Sequence, residues 1–310
     1  MIALAQPLRA EDTVEVSRVN HRLALGVQWL DALSAMPAAG LLATDLESIG
    51  LRPCPQRCEA HPLARHALRW RGRLAKLLAK AAQDKLNTPP ASPAVDPTRL
   101  NLRGYGLRDD SRGAGAFAAQ SDPRRHVPRR LSLIPVQALG IPSATIDNIR
   151  QAWLWPGAAY PLGANTTALR GLVRRGATLA AAQAVPWARA VITAFGGVVP
   201  DFATEQQVGW GHGDERGELT VVLGVQAVAG GATLPPVLPL RVWIFVPPLA
   251  LPDPLDALAG LPLEIADTAP LNDVLRGLTP PVGHVRQKPF DVSVKPGEVL
   301  VMNDADLLFS

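Results

Sequence analysis

The chain has 310 residues, 47% of them hydrophobic and 19% charged, a balance typical of folded proteins and not of disordered ones. The net charge is +4, but the 31 basic residues are dispersed and few aromatic residues lie among them, which argues against nucleic-acid binding. The two cysteines exclude a disulfide scaffold, and no apolar run approaches the roughly 20 residues that span a membrane.

The 30 prolines and 26 glycines recur along the whole chain, which predicts many short strands joined by turns. We therefore expect a mainly β fold with two or more β-sandwich units, one amphipathic helix and an extended arm. Residues 1–86 are predicted to be a β-rich first domain. Its first strands lie between His21 and Gly50.

A group of possible metal ligands follows these strands, in the order Cys54, Cys58, His61 and His66. Zinc takes four sulfur or nitrogen ligands, so these four residues are candidates for a structural zinc site. The spacing departs from the usual C-x2-C pair, and two free or buried thiols are the alternative. No other cofactor is expected.

Apolar residues recur at helical spacing in the stretch 65–86, and a Pro-Pro pair follows it. This pattern predicts an amphipathic helix over about 66–86, with an apolar stripe of Trp70, Leu74, Leu77, Leu78 and Ala81.

Proline- and arginine-rich segments come next, and they predict an extended arm or linker over 87–130. Connecting strands are expected in 131–165, where Trp153, Trp155 and Tyr160 lie within eight positions. Three such aromatics suggest a core plug or a contact anchor.

The clearest strand pattern covers 166–248, where four strand-like runs alternate with Gly/Pro turns. Residues 249–310 add further strands as a C-terminal β extension. The stretch 166–248, which we call the third predicted unit, contains the run "VGWGHGDERGELTVVLG". Within this run, Trp210 is another possible contact residue, and His212 lies near it.

The stretch 166–248 resembles the carboxypeptidase regulatory-like domain, a transthyretin-like β-sandwich. The resemblance rests on Gly171-x-Val173, on "VPWARAVI" at 185–192, and on Asp214 and Gly217 as an Asp-x-x-Gly hairpin turn. The alternation of Leu-x-Val-x-Leu after this turn implies inward-facing residues. The run "VQWLDALSAMPAAGLLATDL" near the amino end is a weaker echo, and it suggests a second immunoglobulin-like unit.

The acids around the hairpin turn could also belong to a metal-binding or catalytic loop. Calcium loops, however, place oxygen ligands at several alternating positions, and no such run occurs here. An aspartate that caps backbone amides and a glycine with positive φ explain Asp214 and Gly217 as a structural turn.

The resemblance implies a folding, spacing or interaction module without catalytic residues. The chain lacks Gly-x-Ser-x-Gly, His-Glu-x-x-His and phosphate-binding glycine motifs, so we do not expect an enzyme. In overall style it resembles structural proteins of phage tails or contractile injection systems, which implies a baseplate, collar or cap component that binds other particle proteins and is a homo-oligomer or present in repeated copies. The alternatives are an adhesin-like module that binds glycans or a cell surface through its tryptophans, and a zinc-dependent enzyme.

The amino terminus has no basic start followed by an apolar run, so a secretory signal is not expected. The sequence predicts synthesis in the cytoplasm and incorporation into a particle, with release outside the cell as an open alternative.

Overall fold

The computed structural model describes residues 21–38, 42–47, 57–71, 100–106, 124–133, 149–224, 235–249, 258, 260–267 and 271–310. These residues are mainly β, with a 3-10 turn at Leu179–Ala181 and a one-turn helix, α1, at Asp273–Arg276. The strands are β1 (His21–Asp31), β2 (Leu42–Glu47), β3 (Arg57–His61), β4 (Arg65–Arg71), β5 (Leu100–Gly106), β6 (Arg129–Leu133), β7 (Ile149–Leu154), β8 (Ala168–Leu172), β9 (Arg174–Arg175), β10 (Gln183–Ala184), β11 (Arg189–Ala194), β12 (Gln207–His212), β13 (Glu218–Leu223), β14 (Leu238–Val246), β15 (Leu263–Ile265), β16 (Val285–Arg286), β17 (Phe290–Val294), β18 (Val299–Val301) and β19 (Leu308–Phe309).

Two four-stranded sheets form what we call the first unit, in the orders β3-β4-β1-β7 and β15-β6-β5-β2. Apolar residues of both sheets share one core, as expected for two sheets packed face to face. Trp29 of β1 lies at its centre, and its indole donates to Thr44 Oγ1 at 2.8 Å. Gly104 of β5 is required here, because a Cβ would lie 2.1 Å from the Trp29 ring.

The helix predicted from residue 66 onwards is wrong over Arg65–Arg71, where the chain forms β4. β4 lies between β1 and β3 and is antiparallel to both. His66 and Leu68 are buried while Ala67 and Arg69 are partly exposed, so burial follows a period of two. Pairing on both edges therefore outweighs the helical propensity of this stretch. Residues 72–86 lie outside the described residues.

The extended arm predicted over 87–130 is also wrong where the structure describes it. β5 lies between β2 and β6 within a sheet, and Leu100 and Leu102 are buried in the first core. His126 and Arg129 are buried as well. The Leu-x-Leu alternation of β5 is a strand signal, but the prediction followed the proline- and arginine-rich segments on either side of it. Residues 87–99 and 107–123 lie outside the described residues.

An eight-stranded sheet forms the second unit, in the order β16-β14-β11-β12-β13-β8-β18, with β17 also paired to β14. Its inward residues form a single core to which Val294 of β17 and Leu300 of β18 both belong. Because these strands stand at opposite ends of the sheet, the sheet must curve strongly around that core. A small sheet, β10-β9-β19, adjoins it. The strands predicted within 166–248 correspond to β8 and β11–β14.

The two units are interleaved along the chain. β15 pairs with β6 in the first unit although it follows β14 of the second, and α1 contributes Leu275 to the first core. The chain then returns to the second unit with β16–β19. The predicted C-terminal extension over 249–310 therefore contributes strands to both units, and it crosses the interface between them.

Candidate functional site

The charged stretch of the third predicted unit forms the turn between β12 and β13. Asp214 Oδ1 accepts from the backbone N–H groups of Arg216 and Glu218, each at 2.9 Å. Gly217 has φ +77°, and a Cβ there would lie 2.8 Å from the carbonyl oxygen of Val173. Asp214 and Gly217 thus occupy the turn positions for which a capping carboxylate and a left-handed glycine are suited.

The acids of this turn bind an arginine of the first unit. Arg124 Nη2 lies 2.6 Å from Asp214 Oδ2 and 2.6 Å from Glu218 Oε2. Arg124 is separated by 90 residues from Asp214 in sequence. The Arg124 guanidinium therefore links the segment just before β6 to the β12–β13 hairpin of the second unit. The two acids of the hairpin form a contact between the units.

Beneath this contact, the two units share a buried cluster of one glutamate and two arginines. Glu264 of β15 lies between Arg129 of β6 and Arg189 of β11, and none of the three side chains is more than 1% exposed. Arg129 Nε donates to Glu264 Oε1 at 3.0 Å, Arg129 Nη2 donates to Oε2, and Arg189 Nη2 donates to Oε1 at 3.2 Å.

The charge balance of this cluster is uneven. Burial lowers the pKa of Arg189 to about 10, a shift that Glu264 opposes and Arg129 reinforces. Arg189 nevertheless remains protonated at neutral pH, so two guanidinium charges face one carboxylate. A buried group of this kind depends on every partner, because the loss of one leaves an uncompensated charge away from water.

Side chains from both units bind the carbonyl groups at the end of α1. Arg129 donates to Val274 O and to Leu275 O, the latter at 2.6 Å, and Trp155 Nε1 donates to Arg276 O at 2.8 Å. His212 Nε2 lies 2.9 Å from Gly277 O, which fixes the proton on that nitrogen. Val274 O also accepts from the backbone N–H of Gly277, and the side chains supply partners for the carbonyl groups that follow it at the interface.

His212 has no exposed surface and cannot serve as an accessible ligand. It lies directly opposite Arg189 in the β11–β12 ladder. Burial, followed by the positive charges of Arg189 and Arg129, holds the pKa of His212 well below its ordinary value. The imidazole is therefore a neutral hydrogen-bond donor that joins β12 to the residue after α1.

Trp187 is an interface residue that the sequence analysis did not single out. It adopts a left-handed backbone conformation, φ +63°, and its buried ring packs with Val127 of the first unit and Leu258. Its carbonyl oxygen accepts from Arg189 Nη1 at 3.1 Å and from His284 Nε2 at 3.2 Å. The signal was the "VPW" turn, which served in the sequence analysis only as one mark of the resemblance to the regulatory-like domain.

His284 is partly buried beside this carbonyl. Burial lowers its pKa to about 4, and the nearby Arg189 charge acts in the same direction, while the hydrogen bond to Trp187 O opposes them. His284 is therefore neutral at physiological pH. His284 and His212 are thus two neutral imidazoles beside the positive charge of Arg189 at the interface.

A separate polar cluster closes the end of β1. Asp31 Oδ2 lies 3.0 Å from His126 Nε2 and accepts from the Tyr160 hydroxyl at 2.8 Å. Burial disfavours ionisation of Asp31, but these bonds and those from the backbone of Ser34 and Leu33 hold its pKa well below the ordinary value. Burial, aided by Asp31, raises the pKa of Tyr160 to about 12. This cluster fixes the β1 turn.

The three tryptophans proposed as contact residues do not form one surface. Trp155 is buried, with its ring 5.5 Å from that of His212, and Trp153 is partly buried under the guanidinium of Arg276. Trp210 lies on the outward face of β12, where it packs against Val191 and the aromatic residues of β14. Trp155 therefore holds the interface together, as a core residue does.

Three of the four predicted zinc ligands lie in the β3–β4 hairpin, and Cys54 lies outside the described residues. Cys58 is partly buried against the first core, His66 is buried, and His61 is exposed. Burial lowers the pKa of His66. Among the residues that the structure describes, no three His, Cys, Asp or Glu side chains are grouped as metal ligands.

A second arginine cluster lies on the outward face of the eight-stranded sheet. Arg241 of β14 contacts Glu205 through Nη1, donates to Asp291 Oδ1 at 2.7 Å through Nε, and donates to Gly197 O at 2.9 Å through Nη2. Glu205 also accepts from Thr193, which in turn accepts from Trp243 Nε1 at 2.9 Å. This cluster fixes the base of the loop between β11 and β12.

The same loop presents an apolar tip, which we define as Phe195, Val198 and Val199. Val198 is 91% exposed and Val199 81% exposed, although the base of the loop is held by Arg241. The Arg241 guanidinium lies 4.8 Å from the centre of the Phe195 ring. A cavity of about 220 Å³ lies beside the tip, and its walls include Phe195, Val199 and Glu205.

No known protein family, curated protein or solved structure matches the chain at a significant level. In the described part of the chain, no helix is long and apolar enough to cross a membrane.

Proposed function

We propose that the chain is a non-enzymatic structural component of a multiprotein particle of the phage-tail-like or contractile-injection type, in a baseplate, collar or cap position. The observation that carries this proposal is the apolar tip. Val198 and Val199 are almost fully exposed on a loop whose base is held by Arg241. An ordered loop that presents apolar side chains to water is typical of a protein-binding surface.

The distribution of exposed apolar residues supports the proposal. Of the thirteen large hydrophobic residues that are exposed in the described chain, ten lie in or next to the second unit. One group is the apolar tip itself, and another, which includes Leu249, Val282 and Val285, lies toward the other end of β14. Contacts at both ends of a strand suit a component that bridges neighbours in an assembly.

The buried interface supports the same function. The Arg129–Glu264–Arg189 cluster and the bonds to the end of α1 hold the two units in one arrangement. A fixed arrangement benefits a structural component, because its contact surfaces are presented at a constant separation. The resemblance to regulatory-like β-sandwich modules, which act as spacers, is in keeping with this role.

The experiment compares two single substitutions at equally exposed valines in the native host. Val198→Asp places a charge in the apolar tip. Val282→Asp places a charge in the other apolar group, at a residue that is 87% exposed. Lysates are separated on density gradients, and the chain is followed by immunoblot. We expect the wild-type chain to co-sediment with a large particle and Val198→Asp to weaken this association about tenfold or more, because a buried unpaired charge is costly.

A chain that sediments as an isolated protein in the wild type would overturn the proposal. Equal sedimentation of wild type and Val198→Asp would remove the tip as its contact. A particle lost only with Val282→Asp would assign the contact to the opposite end of β14.

A further inference from the structure

The two ends of the eight-stranded sheet are neighbours in sequence, but they do not pair. β17 and β18 are joined by a β-turn in which Glu298 N donates to Lys295 O at 3.1 Å and Gly297 has φ +81°. β17 pairs with β14, and β18 pairs with β8 at the opposite end of the sheet. No ladder joins the two strands, all of whose residues are described. We call the space between them the seam.

Core residues are incompletely covered beside the seam. Phe290 and Val292 of β17 and Leu300 of β18 belong to the edge of the second core and are only half-buried. The partners of Val292 and Phe290 on the neighbouring strand β14, Leu240 and Val242, are at most 2% exposed. Apolar surface that a closed sheet would bury is thus left accessible along both sides of the seam.

The backbone of β18 presents unused hydrogen-bonding groups to the seam. Glu298 O accepts from Ala168 N at 3.1 Å, and Met302 N donates to Arg170 O at 2.7 Å, so alternate residues of this segment face β8. In a parallel ladder, the residues between them direct their N–H and C=O groups the other way. These residues are Val299 and Val301, the latter 74% exposed.

The edge of β18 is only three residues long, but it lacks the other features that usually prevent strand pairing. β18 contains no charged residue, no proline and no bulge. Two exposed carboxylates, Asp304 and Asp306, lie in the turn that follows the end of β18 at Val301. A strand that covers this edge therefore meets apolar side chains along β18 and negative charge just beyond it.

We propose that the seam binds an extended segment of a partner protein by strand addition. The segment is apolar at every second position, so that one face covers Phe290, Val292 and Leu300, and it carries a basic residue toward Asp304 and Asp306. Its backbone pairs with Val299 and Val301. This inference rests on the proposed function, since it names the kind of partner that an assembly component binds.

The test uses purified full-length chain and a fluorescent lysine-capped peptide in which threonine and valine alternate. A control peptide has the same composition but places the valines in adjacent pairs, so that neither face is wholly apolar. We expect the alternating peptide to bind at least about tenfold more tightly than the control by fluorescence anisotropy, because only it matches the period of a strand. This measurement needs no particle, so its outcome is independent of the sedimentation experiment.

A pair of variants tests the backbone contact. Val301→Pro removes the N–H group that faces the seam and leaves the β8 ladder intact, whereas Val301→Thr keeps both the N–H group and the branched shape. We expect the proline variant to lose peptide binding about tenfold or more and the threonine variant to retain it, with unchanged circular dichroism in both.

Three outcomes would overturn the inference: equal binding of the two peptides, absence of binding by either peptide, or equal binding by wild type and Val301→Pro. A concentration-dependent dimer of the purified chain that Val301→Pro abolishes would also overturn it, since the seam would then belong to a second copy of the chain.

Discussion

Two arginine clusters lie on the same face of the eight-stranded sheet and balance their charges in opposite ways. At one end, Arg129 and Arg189 share Glu264 beneath the first unit, and all three side chains are buried. At the other end, Arg241 is shared by Glu205 and Asp291, and the Asp291 side chain is 53% exposed.

The difference lies in what covers each cluster. The first cluster is covered by another unit of the chain, so water cannot replace a missing partner, and the cluster fixes how the units sit. The second cluster has water on one side, and it orders a loop whose tip is left exposed. The same residue types therefore lock an interface in one place and present a surface in the other.

The largest loss of stability is expected for Glu264→Gln in the buried cluster. Removal of the carboxylate leaves two buried guanidinium groups without a counter-charge, and we expect a loss of about 3–5 kcal/mol in the free energy of unfolding. Urea denaturation followed by tryptophan fluorescence at pH 7 measures it. Glu298→Gln, at an exposed ion pair with Lys295, is the control and should leave the midpoint unchanged. Equal midpoints for the two variants would contradict a structural role for the buried cluster.

The stability of the buried interface should also depend on pH, because His284 lies beside it. The pKa of His284 is about 4 in the folded chain and 6.5 ordinarily, so the unfolded chain binds more protons between these values. The stability that the neutral imidazole contributes is complete above pH 6.5 and is lost as the pH falls toward 4, by roughly 2–3 kcal/mol.

His284→Gln keeps a donor for Trp187 O but does not titrate, so it should reduce the slope of this part of the stability profile, and the buried His212 should account for part of the slope that remains. The measurement is urea unfolding at a series of pH values from 7.5 to about 4. His61→Gln, at an exposed histidine of β3, serves as the control and should follow the wild type. A wild-type slope in His284→Gln would show that other groups carry the pH dependence.

The smallest effect is expected at the open cluster. Asp291→Asn leaves Arg241 with Glu205 and the Gly197 carbonyl group, and the lost pair is half-exposed, so we expect less than about 1 kcal/mol. The difference from wild type should shrink further in high salt, because exposed charges are screened. A loss of unfolding free energy as large as that of Glu264→Gln would mean that the Arg241 cluster stabilises the fold as strongly as the buried cluster does.

The strands of the second unit were predictable because their pattern is local. Alternating apolar residues between Gly and Pro turns mark β11–β14, and Asp214 with Gly217 marks the hairpin turn by residue type alone. The helix over 66–86 and the arm over 87–130 were wrong where described, because β4 and β5 are stabilised by strands on both edges. That pairing outweighs local propensity and composition.

The interface was not predictable from the same signals. Arg129 and Glu264 are 135 residues apart, and Arg189 and Glu264 are 75 apart, with no motif that joins them. Trp187 also stood out only as part of a proline turn. No local pattern distinguishes these arginines from the many others in the chain, since the distinction is the burial that the other unit imposes.

The β character of the chain and the hairpin around Asp214 follow from local sequence patterns, because alternation, glycine and proline act over a few neighbouring residues. The tertiary structure decided that the acids of this hairpin bind Arg124 and that His212 is buried. It also decided that β17 and β18 stand at opposite ends of one sheet despite being neighbours in the chain. Burial, charge balance and exposed edges depend on which distant strands meet, and only the folded chain brings them together.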